Sequence, residues 1–248
     1  MAWYAYCLTE QQTTNGTRAR RPFLLDGVQG VNGAAVLSYP SGEFAVVVSE
    51  YDRASGSQLD EKHVLEHARV VSVCFRSGTV LPFRFGTIFD TDEALRQAVR
   101  ANRRTFGLSV ARLRGKAEMH LKVIVRGGSL REAMEEITLP DTVGGEYLAK
   151  LRVKASRDRE RQTKARALSV QVHKLFNPLE EEISCKRVDA DGMLIDIAHL
   201  IDSKSVEKYQ NRYSSAAKQL KNCELAISGP WPPYHFLPGK IRTVAGNS

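Results

Sequence analysis

The sequence predicts an α+β fold in two domains, the second with the element order β-α-β-β-α-β. Two observations carry that order. Apolar residues alternate in Met119-x-Leu121-x-Val123-x-Val125 and in Met193-x-Ile195-x-Ile197, the two-residue period of a strand with one buried face. Between these runs, a segment from about Glu146 to Asn177 carries Leu148, Leu151, Ala155, Ala165, Leu168, Val172 and Leu175, with Pro178 directly after it. Spacings of three and four followed by a proline describe a helix and its stop.

In the first half, Trp3–Leu8 reads as an aromatic-rich strand. A polar, arginine-containing loop covers Thr9–Pro22. Ala34–Tyr39 and Glu43–Ser49 flank Pro40-Ser41-Gly42, a hairpin, and the apolar run Phe44–Val48 marks its second arm as a central strand. A loop over Asp52–Ser57 leads to a helix start at Ser57 and Asp60. Val64, Ala68, Val71 and Phe75 form the face of that helix, and Gly78 ends it. Asp90 with Glu93 opens the next helix, with an apolar stripe of Leu95, Val99, Phe106, Val110 and Leu113. Gly107 is the expected kink and Gly115 the close.

In the second half, Glu118, His120 and Lys122 form the polar face of the first strand. A variable connection from Gly127 to Gly144, with a short helical piece around Leu130–Ile137, leads to the long helix. Its middle, Ser156–Lys164, is polar all round and projects into solvent. Glu180, Glu181 and Glu182 read as a solvated charge run. Ile183, Cys185 and Val188 lie in a strand that turns at Asp191-Gly192 into Met193–Ile197. Asp202 opens a helix with Val206, Tyr209, Tyr213, Ala216 and Leu220 on one face, and Asn222 ends it. Cys223, Leu225 and Ile227 form a last strand, stopped by Gly229-Pro230.

The 248 residues, 42% of them hydrophobic, can bury a core. No apolar run approaches the roughly 20 residues of a membrane span. The start, Met1–Cys7, lacks the pattern of a signal peptide, so the expected location is cytoplasmic. Cys7, Cys74, Cys185 and Cys223 form no CxxC pair and read as buried, reduced thiols. The net charge of +8 permits nucleic acid, an acidic surface or an acidic protein as partner. Much of that charge lies between Lys150 and Lys174.

Thr79–Phe89 is the most unusual run. Read as a strand, it puts Leu81, Phe83 and Phe85 on one face and Arg84 on the other. Pro82 belongs at an edge or a strand start, and Gly86 permits a bend. A buried, unpaired guanidinium would be very costly. Arg84 is therefore expected to be a buried or half-buried anchor, bonded to carbonyls or a carboxylate and holding the domains together.

Three chemistries deserve testing against this chain. His63-Val64-Leu65-Glu66-His67 matches the H-x-x-E-H string of a zinc hydrolase, with His63 and His67 on one helical face. The competing reading is an amphipathic helix with two half-exposed histidines. A ferredoxin-like domain can also bind RNA, but its central strands here carry no Phe, Tyr or Trp for stacking. Nucleic acid is not an expected partner. Gly229-Pro230-Trp231-Pro232-Pro233-Tyr234-His235-Phe236 offers three aromatics on a stiff backbone. It reads as a tail locked onto its own body, or as a partner-binding segment.

Together these blocks resemble a known family. Val80-Leu81-Pro82-Phe83-Arg84-Phe85-Gly86-Thr87 resembles the signature of the gas vesicle accessory proteins GvpL/GvpF. His67 and Val70 upstream fit, as do Leu113-x-Gly115 followed by Glu118, Lys122 and Val123. Gly145-x-Tyr147-Leu148 is similar to the family's block at the long helix start, and Gly229–Phe236 to its C-terminal block. The resemblance covers Ala2–Phe236. It departs at His63, which is extra, at Phe83, where Met or Val is common, and at His235, where Ser is common.

The resemblance implies two α+β domains, the C-terminal one a modified ferredoxin-like fold. The expected divisions are 1–115, 116–228 and a tail over 229–248 that docks back on the body. It implies a non-enzymatic role in building gas vesicles, which are gas-filled, protein-walled buoyancy organelles. The implied partners are the hydrophobic shell subunit and other accessory proteins; the alternative role is a minor component of the vesicle wall. No catalytic, cofactor or metal residues carry over. Pro82, Arg84, Phe85, Gly86, Tyr147, Pro230, Trp231, Pro232, Pro233 and Tyr234 are the motif positions. Arg157, Arg159, Arg161, Lys164 and Arg166 on the long helix, with the Gly127–Gly144 connection, are the candidate partner surface.

Overall fold

The computed structural model describes residues 1–11, 13–14, 17–18, 23–52, 59–124, 143–177, 179–187, 193–220 and 223–238. The chain divides into two compact units, Met1–Glu118 with Pro230–Ser248, and Met119–Gly229. The Gly127–Gly144 connection (save its last two residues), the Asp191-Gly192 turn, Ser57, Pro178 and Asn222 lie outside the described residues.

The first unit is built on β1 (Ala2–Glu10), which runs two residues beyond the expected Leu8. Two short strands, β2 (Thr13–Thr14) and β3 (Thr17–Arg18), pair within the stretch expected to be loop. The strand β4 (Phe23–Gln29) was not legible in the sequence. It pairs with β5 (Ala35–Ser41), which forms the expected hairpin with β6 (Phe44–Tyr51). The helix α1 (Glu61–Ser77) follows, then β7 (Val80–Pro82), β8 (Ile88–Phe89), α2 (Asp92–Ala101) and α3 (Arg103–Leu113). The sheet order is β4-β5-β6-β1-β7, with β8 also on β1.

All residues of β1 from Trp3 to Leu8 are buried, so both faces of the sheet are covered. Trp3 bonds Asp92 at the start of α2, and Tyr4 meets His67 of α1. Neighbouring side chains of a strand point to opposite faces, which places α1 and α2 on opposite sides. The register slips between Ala5 and Cys7. This bulge sets two residues against one, and both Tyr6 and Cys7 join the same apolar cluster beside α1.

Both helix starts shift from the expected positions. Asp60 caps α1 by accepting from the His63 N–H, while the His63 ring accepts from the Asp60 N–H. Thr91, rather than Asp90, caps the next helix by accepting from Ala94. The buried face of α1 is His63, His67, Val70, Val71 and Cys74, and Val64 is exposed. The expected face was therefore rotated by about one residue. Two buried histidines replace the expected half-exposed ones, with Asn32 and Asp60 at the His63 ring and Tyr4 at one nitrogen of His67. The break between α2 and α3 falls at Asn102, whose side chain donates to the Ala98 carbonyl. Gly107 lies inside α3. The apolar stripe from Leu95 to Leu113 is buried as expected.

The second unit contains β9 (Lys116–Ile124, shared with the first), α4 (Val143–Phe176), β10 (Glu182–Arg187), β11 (Met193–Asp202), α5 (Val206–Gln219) and β12 (Glu224–Trp231). Its sheet order is β10-β11-β9-β12. Met119, Leu121 and Val123 of β9 pack with Ala165, Leu168, Val172 and Phe176 of α4 and Tyr209 and Ala216 of α5. A short 3-10 turn at Ser203–Ser205 precedes α5, with Asp202 accepting from the Lys204 N–H. The last strand continues through Gly229-Pro230 to Trp231 instead of stopping there.

Glu180 is not part of a solvated run: its side chain is 4% exposed. It lies between His173 and His199, with its Oε2 3.1 Å from His199 Nε2. The other ring nitrogen of His199 stands 2.6 Å from the Tyr209 hydroxyl, and Phe176 stacks on the ring. Burial lowers the His199 pKa to about 4 and raises that of Glu180. Cys7 and Cys74 are buried and free, as expected, whereas Cys185 is exposed. Among the described residues, no helix is long and apolar enough to cross a membrane.

Candidate functional site

The motif run is not one strand. The strand ends at Pro82, with one more bond to β1 from the Phe83 N–H to the Tyr6 carbonyl at 2.8 Å. Arg84-Phe85-Gly86-Thr87 then forms a turn in which the Arg84 carbonyl accepts from the Thr87 N–H at 3.1 Å and from its hydroxyl at 2.7 Å. Gly86 has φ +80, a conformation that disfavours side chains. Its N–H donates to the Tyr4 hydroxyl at 3.2 Å.

The Arg84 expectation is therefore corrected. Its side chain is exposed and makes no hydrogen bond or ion pair among the described residues. The turn points the guanidinium to water, where it needs no partner; the backbone carbonyl is the part that holds the turn. Phe83 and Phe85 also separate. Phe83 is buried against Phe89, whereas Phe85 is 36% exposed and packs edge-on against Tyr4 and His67. Pro82 is buried at the strand end.

Both histidines of the zinc-like string are buried, with partners at three of their four ring nitrogens. His63 Nε2 lies 2.7 Å from Asn32 Oδ1, and its Nδ1 accepts from the Asp60 N–H. Glu66 accepts from the Asn32 N–H. His67 Nδ1 lies 3.0 Å from the Tyr4 hydroxyl. Burial lowers the His67 pKa to about 4 and pushes that of Tyr4 up to about 12, so both are neutral at pH 7. The Tyr4 oxygen accepts from Gly86 and stands within hydrogen-bond distance of His67. These bonds hold α1 and the motif turn to β1; His67 Nε2 is buried without a hydrogen-bond partner among the described residues.

In the C-terminal block, Pro232, Pro233 and Phe236 are buried, and Trp231 and Tyr234 are 44% and 38% exposed. A 3-10 turn covers Tyr234–Phe236. His235 donates its backbone N–H to Glu118 Oε2 at 2.8 Å, and its Nδ1 lies 2.7 Å from Oε1. Arg112 donates to the Phe236 carbonyl. Glu118 is 1% exposed, which corrects its placement on a polar face. The strand alternation could not reveal a carboxylate whose partners come from more than a hundred residues away.

The long helix divides into two parts. From Ala165 on, one side is buried, but no described side chain from Tyr147 to Lys164 is. Tyr147, Leu148 and Leu151 are 64%, 57% and 44% exposed. The Leu148–Leu151–Ala155 stripe thus has no covering element among the described residues, against expectation. Arg159, Lys164 and Arg166 are exposed; the side chains of Arg157 and Arg161 lie outside the described residues.

Comparison with known proteins gives consistent matches along the chain. Gas vesicle protein F1 of Halobacterium salinarum is 23% identical over 237 residues, covering 93% of this chain and 94% of that relative. Gas vesicle protein L of a Streptomyces species is 25% identical over 240 residues, covering 87% and 89%. The crystal structure of the gas vesicle protein GvpF from Anabaena sp. superposes with a TM-score of 0.75 at 18% identity, covering 96% of each chain. That of GvpF from Microcystis aeruginosa gives 0.71 at 18% identity, covering 96% and 99%. These structural likenesses establish the fold. The family described as gas vesicle synthesis protein GvpL/GvpF matches residues 2–238, through the motif turn, the start of α4 and the C-terminal block, and the chain belongs to that family.

Proposed function

We propose that this chain is a non-enzymatic accessory protein that binds the hydrophobic shell subunit and other accessory proteins during early gas vesicle formation, in the cytoplasm at the growing vesicle. Family membership gives the coarse role, a gas vesicle accessory protein. The observation that carries the finer reading is the first half of α4. It exposes Tyr147, Leu148 and Leu151 beside a run of cations. Exposed apolar side chains grouped together mark an interaction surface. A shell subunit with one strongly apolar face aggregates before it assembles, and a protein that covers this face keeps it deliverable.

The module behind this surface is read as a modified ferredoxin-like domain over 116–228. What supports it is the lateral order β10-β11-β9-β12, which sets the first and third strands of a β-α-β-β-α-β unit at the centre. The N-terminal domain is read as 1–115, with the tail 229–248 docking back on the body; the bonds from Arg112 to Phe236 and from His235 to Glu118 support that docking.

Co-expression with the shell subunit tests the reading. The soluble fraction of the subunit and the yield of vesicles are expected to rise with this chain and to fall with Leu148→Asp/Leu151→Asp. An unchanged soluble fraction with and without the chain would reject it.

A further inference from the structure

The first unit carries a groove that the motifs do not touch. Arg96, Arg100 and Arg103 recur at spacings of four and three along α2 and the start of α3. They face the β5–β6 turn, Pro40–Phe44, across a cavity of about 500 Å³ that Val99 also lines. That volume is in the range of small-ligand sites.

The three arginines are held differently. Arg96 donates from Nε and Nη2 to the Tyr39 hydroxyl at 2.9 and 2.7 Å, with its guanidinium carbon 5.4 Å over the Tyr39 ring. Tyr39 in turn donates to Asp92 at 2.8 Å, and the other oxygen of Asp92 accepts from the Trp3 indole at 2.6 Å. Tyr39 and Trp3 are core residues, 2% and 5% exposed. Arg96 is thus fixed by a relay anchored in the core, and its Nη1 carries no hydrogen bond among the described residues. Arg100 rests on Glu93 and Arg103 on Glu43, with the arginine side chains 66% and 70% exposed. Ion pairs this exposed are weak, so an incoming carboxylate can exchange for them.

We propose that this groove binds a short acidic segment of a partner protein. One fixed guanidinium and two exchangeable ones suit successive carboxylates, which match the planar fork of arginine. The buried edges of Phe44 and Val99, with Pro40, give the peptide an apolar floor. A nucleic-acid backbone fits less well. It calls for an extended row of cations, whereas Asp90, Asp92 and Glu93 flank this one. The proposal goes beyond the assembly reading, because it uses a surface that α4 does not form.

Calorimetric titration of the full chain with a hexaglutamate peptide tests it. Saturable one-to-one binding that weakens with salt is expected. Arg100→Gln/Arg103→Gln should weaken it about tenfold, and Arg96→Lys several-fold despite the retained charge. Leu148→Asp/Leu151→Asp should leave it unchanged, which separates this site from the shell-subunit surface. Thermal unfolding of each variant confirms that it folds; Arg100 and Arg103 are exposed, so that pair keeps the test available if Arg96→Lys does not. Absent saturation, or equal affinity in the Arg100/Arg103 variant, overturns the proposal. So does tighter binding of inorganic phosphate or a single-stranded oligonucleotide at the same salt, which would assign the groove to phosphates.

Discussion

The Tyr4 hydroxyl lies 3.0 Å from His67 Nδ1 and also accepts the N–H of Gly86 at 3.2 Å. One buried phenol thereby joins the first strand, the first helix and the motif turn. Burial around the pair favours the neutral imidazole.

That burial sets a pH dependence. Burial holds the His67 pKa in the folded chain at about 4, against an ordinary value of 6.5. Between these values the unfolded chain binds more protons than the folded one, so stability rises with pH across this window and is lost as pH falls through it. The effect of this residue is on the order of 3 kcal/mol. Urea unfolding at pH 7 and pH 4.5 should show the loss, and His67→Phe should flatten the difference. An equally steep dependence in the variant would assign the titration elsewhere, His199 being the next candidate.

Two glycines should respond with opposite sign to alanine. A Cβ on Gly30 would lie 2.2 Å from the Tyr6 hydroxyl, which accepts from the Val31 N–H and bonds Ser49. Gly30→Ala should cost about 2–3 kcal/mol through overpacking and broken hydrogen bonds. Gly107 lies inside α3 and its Cβ would meet nothing nearer than Phe44 at 4.0 Å. Gly107→Ala should therefore stabilise, by up to about 1 kcal/mol. Denaturant midpoints of the two variants check both signs.

At the motif turn, stability should depend on Gly86 and not on the Arg84 side chain. Arg84→Ala should change stability by less than about 0.5 kcal/mol, as an exposed substitution does. Gly86→Ala should cost about 1–2 kcal/mol from its positive φ, since the space around it is open enough for a methyl. A large loss of stability in Arg84→Ala would contradict its exposed position.

Glu118→Ala should loosen the C-terminal block. It removes both acceptors of His235 and leaves a backbone N–H without its partner, a loss of about 1–3 kcal/mol. Limited proteolysis should cut the variant near Tyr234–Phe236 earlier than the parent chain. Equal rates would mean that Phe236 and Arg112 hold the block alone.

The sequence by itself determined the element order of the second half, the hairpin around Gly42 and the buried stripe from Leu95 to Leu113. Each is a local periodicity or a turn residue, and each acts within a few positions along the chain. The motif blocks, in their order, were also sufficient to name the family. Tertiary structure decided the rest. Whether His63, His67, Glu118 and Glu180 face water or a partner depends on side chains 31, 63, 117 and 19 residues away. It also decided that Arg84 is exposed, because the strand ends at Pro82 and Arg84–Thr87 forms a turn before β8 continues along β1. On α4, Leu148 and Leu151 stand three apart and Leu168 and Val172 four apart, both helical spacings, yet only the latter pair is buried. Periodicity sets which side of a helix is apolar; only packing determines whether anything covers it.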